Sequence, residues 1–407
     1  MSHSLGLYVC DLHVHIGAAG NGKPVKVTAS RDLTFAHIAA ECVERKGVDL
    51  VGIVDCGSPA VIRDIERLLD AGEMVQLTGG GLRYRDQVTV ILGSEIETRE
   101  PGGGISHHVS YFPTLGRLKA FSAEMERHIT NPNLSSQACG LSARELCDIA
   151  LQHEALFIPA HCFTPHKSVY GACAERAADL LGEYWASIPA IELGLSADAD
   201  LADRLDELAD KTFVANSDAH SLPRIAREYN VLELGSPDFA ELQQALWRQD
   251  GRRVAANFGL DPRLGKYHRT CCEVCRWIAR GEPPVLQCEQ CGSTNVTRGV
   301  LDRIVQIADH DGPQPPAHRA PYQYQVPLQF VPGVGAVVMA RLLNRFGSEM
   351  AVLHQATHQE LGETVGAKVA GLIIQAREGT LPLEPGGGGK YGRALRDGPG
   401  QIRLPGL

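Results

Sequence analysis

The sequence predicts an α/β protein whose front half is a parallel sheet or a β/α barrel. Three observations predict it. Apolar, strand-like runs alternate with helix-like segments over roughly the first 260 residues. Four strand candidates end in, or nearly in, a residue able to bind metal: Asp55, Glu95, His161 and Asp218. In β/α barrels, site residues gather at the C-terminal ends of the strands. Finally, 407 residues with 44% apolar and 21% charged side chains suit two or three globular domains of ~150 residues each.

The strand candidates are 48–54, 87–97, 154–160, 188–194 and 212–217. Two helices between and after them have visible starts. Ser142 with Glu145 forms a capping-box pattern before L-C-D-I-A-L. Ser236 and Pro237 read as the cap and first helical position before F-A-E-L-Q-Q-A-L-W. No apolar run approaches the ~18–20 residues of a membrane helix. The start lacks the basic and apolar regions of a signal peptide. Five of the twelve cysteines crowd into 271–291, which reads as metal binding plus reduced thiols and predicts a cytoplasmic protein.

The formal net charge is −9, unevenly spread. Residues 1–260 carry 23 basic and 35 acidic side chains; residues 261–407 carry 16 and 13. An acidic front half suits a cation site, and a mildly basic back half permits contact with nucleic acid.

The strongest local signal is D-L-H-V-H at 11–15. Two residues apart on a strand, His13 and His15 share one face and can serve one ion. N-S-D-A-H at 216–220 gives Asp218 and His220 the same spacing. G-S-E-I-E supplies Glu95, whose two oxygens can bridge two ions; P-A-H supplies His161; S-H-H-V supplies His107 or His108. Mixed imidazole and carboxylate donors suit zinc, manganese or iron rather than calcium. Two such ions can activate water for phosphoester hydrolysis.

The ordered set D-L-H-V-H, G-S-E, S-H-H, P-A-H and N-S-D-A-H resembles the polymerase-and-histidinol-phosphatase (PHP) superfamily of metal phosphoesterases. Longer strings resemble the endonuclease Q family over nearly the whole chain: P-A-H-C-F-T-P-H-K-S-V-Y-G, I-E-L-G-L-S-A-D, A-N-S-D-A-H-S-L-P-R-I-A-R-E, K-Y-H-R-T-C-C-E-V-C and P-G-G-G-G-K-Y-G. The resemblance implies a distorted PHP-type (β/α)7 barrel over 1–265, holding two or three divalent ions (Zn, Mn or Mg). Its ligands would be His13, His15, Glu95, His107, His161, Asp218, His220 and Asp55, with Glu95, His161 and Asp218 central to catalysis. His107 fits the motif better than His108. The superfamily usually reads T-D-H after the second strand; here V-D-C puts Cys56 in the histidine's place, which leaves a third ion's site in doubt.

Cys272-x-x-Cys275 and Cys288-x-x-Cys291 form two knuckles separated by 12 residues, the spacing of a closed, structural four-thiolate zinc site, assigned to a module at 266–308. Cys271 is left as a free thiol. Residues 309–325, rich in proline, read as a linker. Residues 326–380 read as helical. F-V-P-G-V-G-A-V-V-M-A-R resembles a helix–hairpin–helix motif, with Gly333 and Gly335 in the turn and a looser second copy carrying Lys368. Such turns bind phosphate through free N–H groups without reading a base. The tail at 381–407 holds P-G-G-G-G-K-Y-G, either a phosphate-binding nest with Lys390 or a flexible end. The last residues, Q-I-R-L-P-G-L, loosely resemble peptides that bind a sliding clamp.

The family resemblance implies an endonuclease acting on double-stranded DNA, cutting 5′ to deaminated bases (uracil, hypoxanthine, xanthine) and at abasic sites, in a nucleoid-associated setting. Two alternatives are a small-molecule phosphatase like histidinol phosphatase and a catalytically inactive DNA-binding scaffold. The zinc module and hairpin motifs argue against the first, and the retained ligand set against the second.

Overall fold

The computed structural model describes residues 4–395. The front half is built on a ten-stranded sheet. In chain order its strands are β1 (Gly6–Val14), β2 (Leu50–Ile53), β3 (Met74–Gln76), β4 (Leu82–Tyr84), β5 (Val88–Arg99), β6 (Ile105–Phe112) and β7 (Leu156–Pro159). A separate parallel pair follows, β8 (Ala190–Glu192) and β9 (Thr212–Val214), then β10 (Tyr229–Leu234) and β11 (Arg253–Gly259) of the main sheet. β8 packs beside β7 and β9 beside β11, so the sheet curls round towards its own far edge.

The sheet is mixed, where the alternation of strands and helices predicts a parallel sheet or a β/α barrel. β1–β2–β5 run parallel, but β5–β6–β7 and β1–β10–β11 run antiparallel. The reason is visible at E-P-G-G-G (100–104): this short turn, with Gly103 at φ +89°, returns the chain directly as a hairpin in which Arg99 faces Ile105. The same hairpin extends β5 to Arg99, so Glu95 lies inside a strand rather than at its end.

Leu12, Leu50, Ile91, Val109, Ile158 and Val214 pack into one buried cluster. Phe35, Ile38, Val61, Ile65, Phe121 and Leu146, largely from flanking helices, belong to a second. Helix Ala143–Gln152 starts with the expected capping box of Ser142 and Glu145. Helix Phe239–Trp247 starts two residues later than the sequence suggests. Asp238 caps it by accepting from Glu241 N, and the Ser236 hydroxyl donates to Asp238 instead.

The cysteine cluster sits on a two-stranded ribbon, β12 (Cys271–Cys272) with β13 (Val296–Thr297). Helix Val300–Ile307 leads away from it and docks on the front half, with Arg303 donating to the carbonyls of Tyr170 (2.8 Å) and Ala174 (3.2 Å).

Residues 309–325 do not form a free linker. Arg319 holds Asp203 through both carboxylate oxygens (2.7–3.0 Å) and lies 3.4 Å from the Phe213 ring centroid. Strand β14 (Tyr322–Tyr324) then adds to β11, in parallel. Prolines make this stretch extended, and extended chain suits a strap as well as a spacer.

Helices Ala336–Phe346, Glu349–His354, His358–Val365 and Ala367–Arg377 form the back half. Among the described residues no helix is long and apolar enough to cross a membrane. The second hairpin copy is two helices joined at Gly366 (φ +84°). The first copy is shorter than its motif suggests: one 3₁₀ turn, Leu328–Phe330, precedes P-G-V-G, because Pro327 and Pro332 bracket it. Lys46 seats this half on the front half, bonding Glu349 (2.8 Å) and the Pro223 carbonyl (2.8 Å) in a buried contact.

The glycine-rich segment packs rather than trailing free. β15 (Leu383–Glu384) pairs with β16 (Arg393–Ala394), and Gly386, Gly389 and Gly392 donate to the carbonyls of Arg263, Lys266 and Leu264. A Cβ on Gly386 would stand 2.8 Å from the Gly265 oxygen, which explains glycine there. The clamp-like Gln401–Leu407 lies outside the described residues.

Candidate metal centre

β1 delivers His13 at its C-terminal end and His15 just beyond; both are fully buried. Their Nε2 atoms face each other at 3.3 Å. His13 Nδ1 bonds Glu192 Oε2 at 2.8 Å, and His15 Nδ1 bonds Asp55 Oδ2 at 3.0 Å. Burial opposes protonation of both rings, but the surrounding carboxylates prevail and raise both imidazoles. Once a cation displaces those protons, each ring keeps its Nδ1 proton on a carboxylate and turns an Nε2 lone pair to the ion. Asp218 Oδ1 lies 3.3 Å from His15 Nε2 and 3.8 Å from His13 Nε2. Two imidazoles and a carboxylate converging in this way suit a shared cation.

A second group adjoins the first. Glu95 Oε1 is 3.0 Å from His107 Nδ1, 3.5 Å from His161 Nε2 and 3.5 Å from His13 Nε2. The donor atoms within each group, His13/His15/Asp218 and Glu95/His107/His161, all lie within 4.8 Å of one another. Glu95 Oε1 thus spans both. Burial would raise the Glu95 carboxyl, but the charges of His107, Lys26 and His15 outweigh it and hold it well below the usual range. Asp218 is held low as well: burial opposes, and hydrogen bonding from His15 with the charges of His13 and His220 prevails. Both carboxylates are therefore ionised and ready for cations.

The remaining candidates take other places. His220 sits tilted against His15 (4.6 Å between centroids, 51° between planes), its Nδ1 3.5 Å from Asp218 Oδ1, at the edge of the first group. Asp55 belongs to neither group; its oxygens are taken by His15, Ile16 N (2.6 Å) and the Ser135 hydroxyl. Cys56 is buried and its thiol donates to the Ile53 carbonyl at 3.1 Å, away from the donors. His108 points to the opposite face of β6 from His107, stacks on Phe157, and is pushed down to about 3, chiefly by burial.

Sequence reasoning missed Glu192, Asn216 and Lys26. Asn216 Nδ2 donates to Glu192 Oε2 (3.1 Å), while its Oδ1 accepts from Leu12 N (3.0 Å). A lone acid in the apolar run I-P-A-I-E-L-G was a usable signal for Glu192. Lys26 lies in a loop with no pattern to mark it, yet its Nζ is 3.1 Å from Glu95 Oε2.

A cavity of about 280 Å³ opens over the donors. Its far wall comes from outside the front half: Lys266 and Tyr267 at the entry to the ribbon, and Tyr391 of the glycine-rich segment. Lys266 Nζ lies over the rings of both tyrosines (5.5 and 5.2 Å).

In the ribbon, Cys272 and Cys291 sulfurs are 3.7 Å apart and those of Cys275 and Cys288 3.5 Å apart. Tetrahedral ligands at ~2.3 Å from zinc stand about this far from one another. Backbone N–H groups of Cys275 and Val274 point at Cys272 Sγ and push that thiol down to about 6. Cys271 stands outside the group, its sulfur nearest the Cys272 and Arg276 carbonyls.

No protein-family model matches the chain. It is 44% identical to the uncharacterized protein YqxK of Bacillus subtilis, over 94% of this chain and 98% of that protein. The crystal structure of the lesion-specific endonuclease PfuEndoQ from Pyrococcus furiosus superposes with a TM-score of 0.81 at 32% identity, covering 96% of this chain and 95% of that one. An endonuclease Q complex with a 27-mer duplex substrate carrying an abasic lesion at the active site gives a TM-score of 0.80 at 32% identity, over 95% and 96%. With identity and coverage of this order along both chains, the protein belongs to the endonuclease Q family.

Proposed function

We propose that the protein is a DNA repair endonuclease that hydrolyses the phosphodiester bond 5′ to uracil, hypoxanthine or xanthine and at abasic sites. The observation that carries this reading is the pair of adjoining donor groups joined at Glu95 under an open cavity. In this reading residues 1–265 are a distorted PHP-type barrel, and His13, His15, Glu95, His107, His161 and Asp218 hold two divalent ions, with His220 at the margin. Divalent ions there supply a nucleophilic water and neutralise charge on the phosphodiester. Glu192 and Asp55 orient His13 and His15. Four thiolates hold a structural zinc.

A small phosphoester would need only the donors. The cavity wall contributed by Lys266, Tyr267 and Tyr391 favours an extended substrate, with cations for its backbone and rings for its bases. Exposed Gly333, Gly335, Lys368 and Lys390 are suited to grip phosphates away from the cut. A stacked base cannot enter the cavity, so the lesion is flipped out; flipping is cheapest for mispaired or absent bases.

Labelled duplexes bearing uracil, hypoxanthine or an abasic site, with and without manganese, test the reading. A metal-dependent nick 5′ to the lesion, leaving the base on its sugar, is expected. Release of free uracil, or equal cutting of undamaged duplex, refutes it.

A further inference from the structure

We propose that Lys26 is a catalytic residue: its ammonium contacts the scissile phosphate and supplies the positive charge that a third ion would otherwise bring. The proposal rests on the phosphodiesterase reading of the cavity but not on its preference for lesions.

Lys26 is held at the site by its backbone. Its N–H donates to the Ile16 carbonyl (2.8 Å), and Val25 N–H donates to the Gly17 carbonyl (3.0 Å), so this loop runs alongside the segment that carries His15. The side chain is 14% exposed and lines the cavity. The two oxygens of Glu95 therefore face different company. Oε1 faces the imidazoles of His13, His107 and His161; Oε2 faces Lys26 Nζ at 3.1 Å and the Ser136 hydroxyl, which Lys26 also bonds, with His15 Nε2 farther off at 3.7 Å.

A third ion has little to bind beside it. Cys56 turns its thiol to a backbone carbonyl, and Asp55 has its oxygens committed to His15, Ile16 N and Ser135. Among the described residues the remaining imidazoles and carboxylates form two donor groups, not three. Charge completes the argument. Asp55, Glu95, Glu192 and Asp218 are matched by two divalent ions, and Glu97, 3.2 Å from His107 Nε2, is matched by Lys167 at 2.7 Å; the ammonium of Lys26 is then surplus positive charge for an anionic phosphodiester. In hydrolysis, negative charge grows on the phosphoryl and leaving oxygens, and a compact, preplaced ammonium stabilises it.

The test uses full-length protein loaded with manganese and compares Lys26→Met, Lys26→Gln and Lys26→Arg. Barrel ion content is read by elemental analysis, duplex affinity by anisotropy in calcium, and rate by single-turnover nicking of an abasic duplex. The same variants are assayed on bis(4-nitrophenyl) phosphate, a phosphodiester that needs no lesion recognition. Lys26→Met and Lys26→Gln should each lose about 100-fold or more in rate on both substrates. They should keep two barrel ions and bind duplex within about threefold of the parent, and Lys26→Arg should recover part of the rate. Lys26→Gln can hold the bonds to Glu95 and Ser136, so it decides the matter if the methionine variant misfolds. A parental rate in Lys26→Gln overturns the proposal, as does loss of a barrel ion in that variant. Hydrolysis of the small diester without lesion-directed nicking by the parent would reject the repair reading while leaving Lys26 tested; no hydrolysis of either substrate rejects both.

Discussion

Glu192 accepts a 2.8 Å hydrogen bond from His13 Nδ1 through one oxygen, while its other oxygen is buried without a hydrogen-bond partner. A buried carboxylate so placed fixes the tautomer of His13 and makes its Nε2 a better donor to a cation. Glu192→Gln keeps the shape and removes the charge. It should weaken ion binding in the barrel by about 10- to 100-fold, measured by competition with a chromogenic chelator; parental affinity would count against a role behind His13.

Glu95 and Asp218 carry the shared and first donor groups. Glu95→Ala or Asp218→Ala should abolish nicking and leave duplex binding, measured by gel shift, nearly intact. Substantial nicking by metal-stripped Asp218→Ala would remove the barrel ions from the reaction.

The ribbon gives a test with an internal control. Cys288→Ser should lose the zinc and melt well below the parent, since structural zinc contributes folding energy directly. Cys271→Ser should keep both zinc and melting temperature, because its sulfur lies outside the group. The reverse pattern would mean that the thiolate set is wrong.

Deleting the helical half is a poor test of DNA binding, because it breaks the Lys46–Glu349 pair and opens to water the buried face of the front half on which that pair sits. Single changes on its exposed face are cleaner. Lys368→Ala should weaken binding to all duplexes alike and reduce the slope of log affinity against log salt by about 1. An unchanged slope would place Lys368 off the DNA.

Glu228 offers a pH test. It is wholly buried, bonded only by Leu260 N (2.9 Å), and burial pushes its carboxyl up to about 8 from 4.5. The folded state therefore keeps a proton that the unfolded chain releases. The stabilisation from that proton is fully present below pH 4.5 and is lost as pH rises through about 8. Glu228→Gln should melt at the parent's temperature near pH 5 and above it at pH 8, by scanning calorimetry. A pH-independent difference would show that Glu228 is not the group responsible.

The pairing of His13 with His15 was legible because it is local: a two-residue period puts both on one face of β1. Asp218 and His220 follow β9 in a loop where Asp218 takes φ +45°, and only Asp218 joins the group. The pairing of β5 with β6 was not legible, since a hairpin and a crossover begin with the same strand. That is why the sequence alone puts Glu95 near a strand end. Asp55 looked like a ligand because the sequence shows its position after β2 but not that His15 Nδ1 lies in front of it. Glu192 and Lys26 reach the site from 179 and 69 residues away from the side chains they bond, and no periodicity reports such contacts. The composition of the proline-rich stretch suggests a spacer, and composition does not distinguish extended chain that is free from extended chain that pairs with β11.

That strap sets the order in which the protein can be completed during synthesis. β11 ends at Gly259, yet its outer edge waits for residues 322–324, and Tyr229 waits for Gln325 and then His354. A nascent chain that has delivered every donor from His13 to His220 still carries an unpaired strand edge and an unsatisfied buried hydroxyl. Such an intermediate is a target for aggregation or proteolysis.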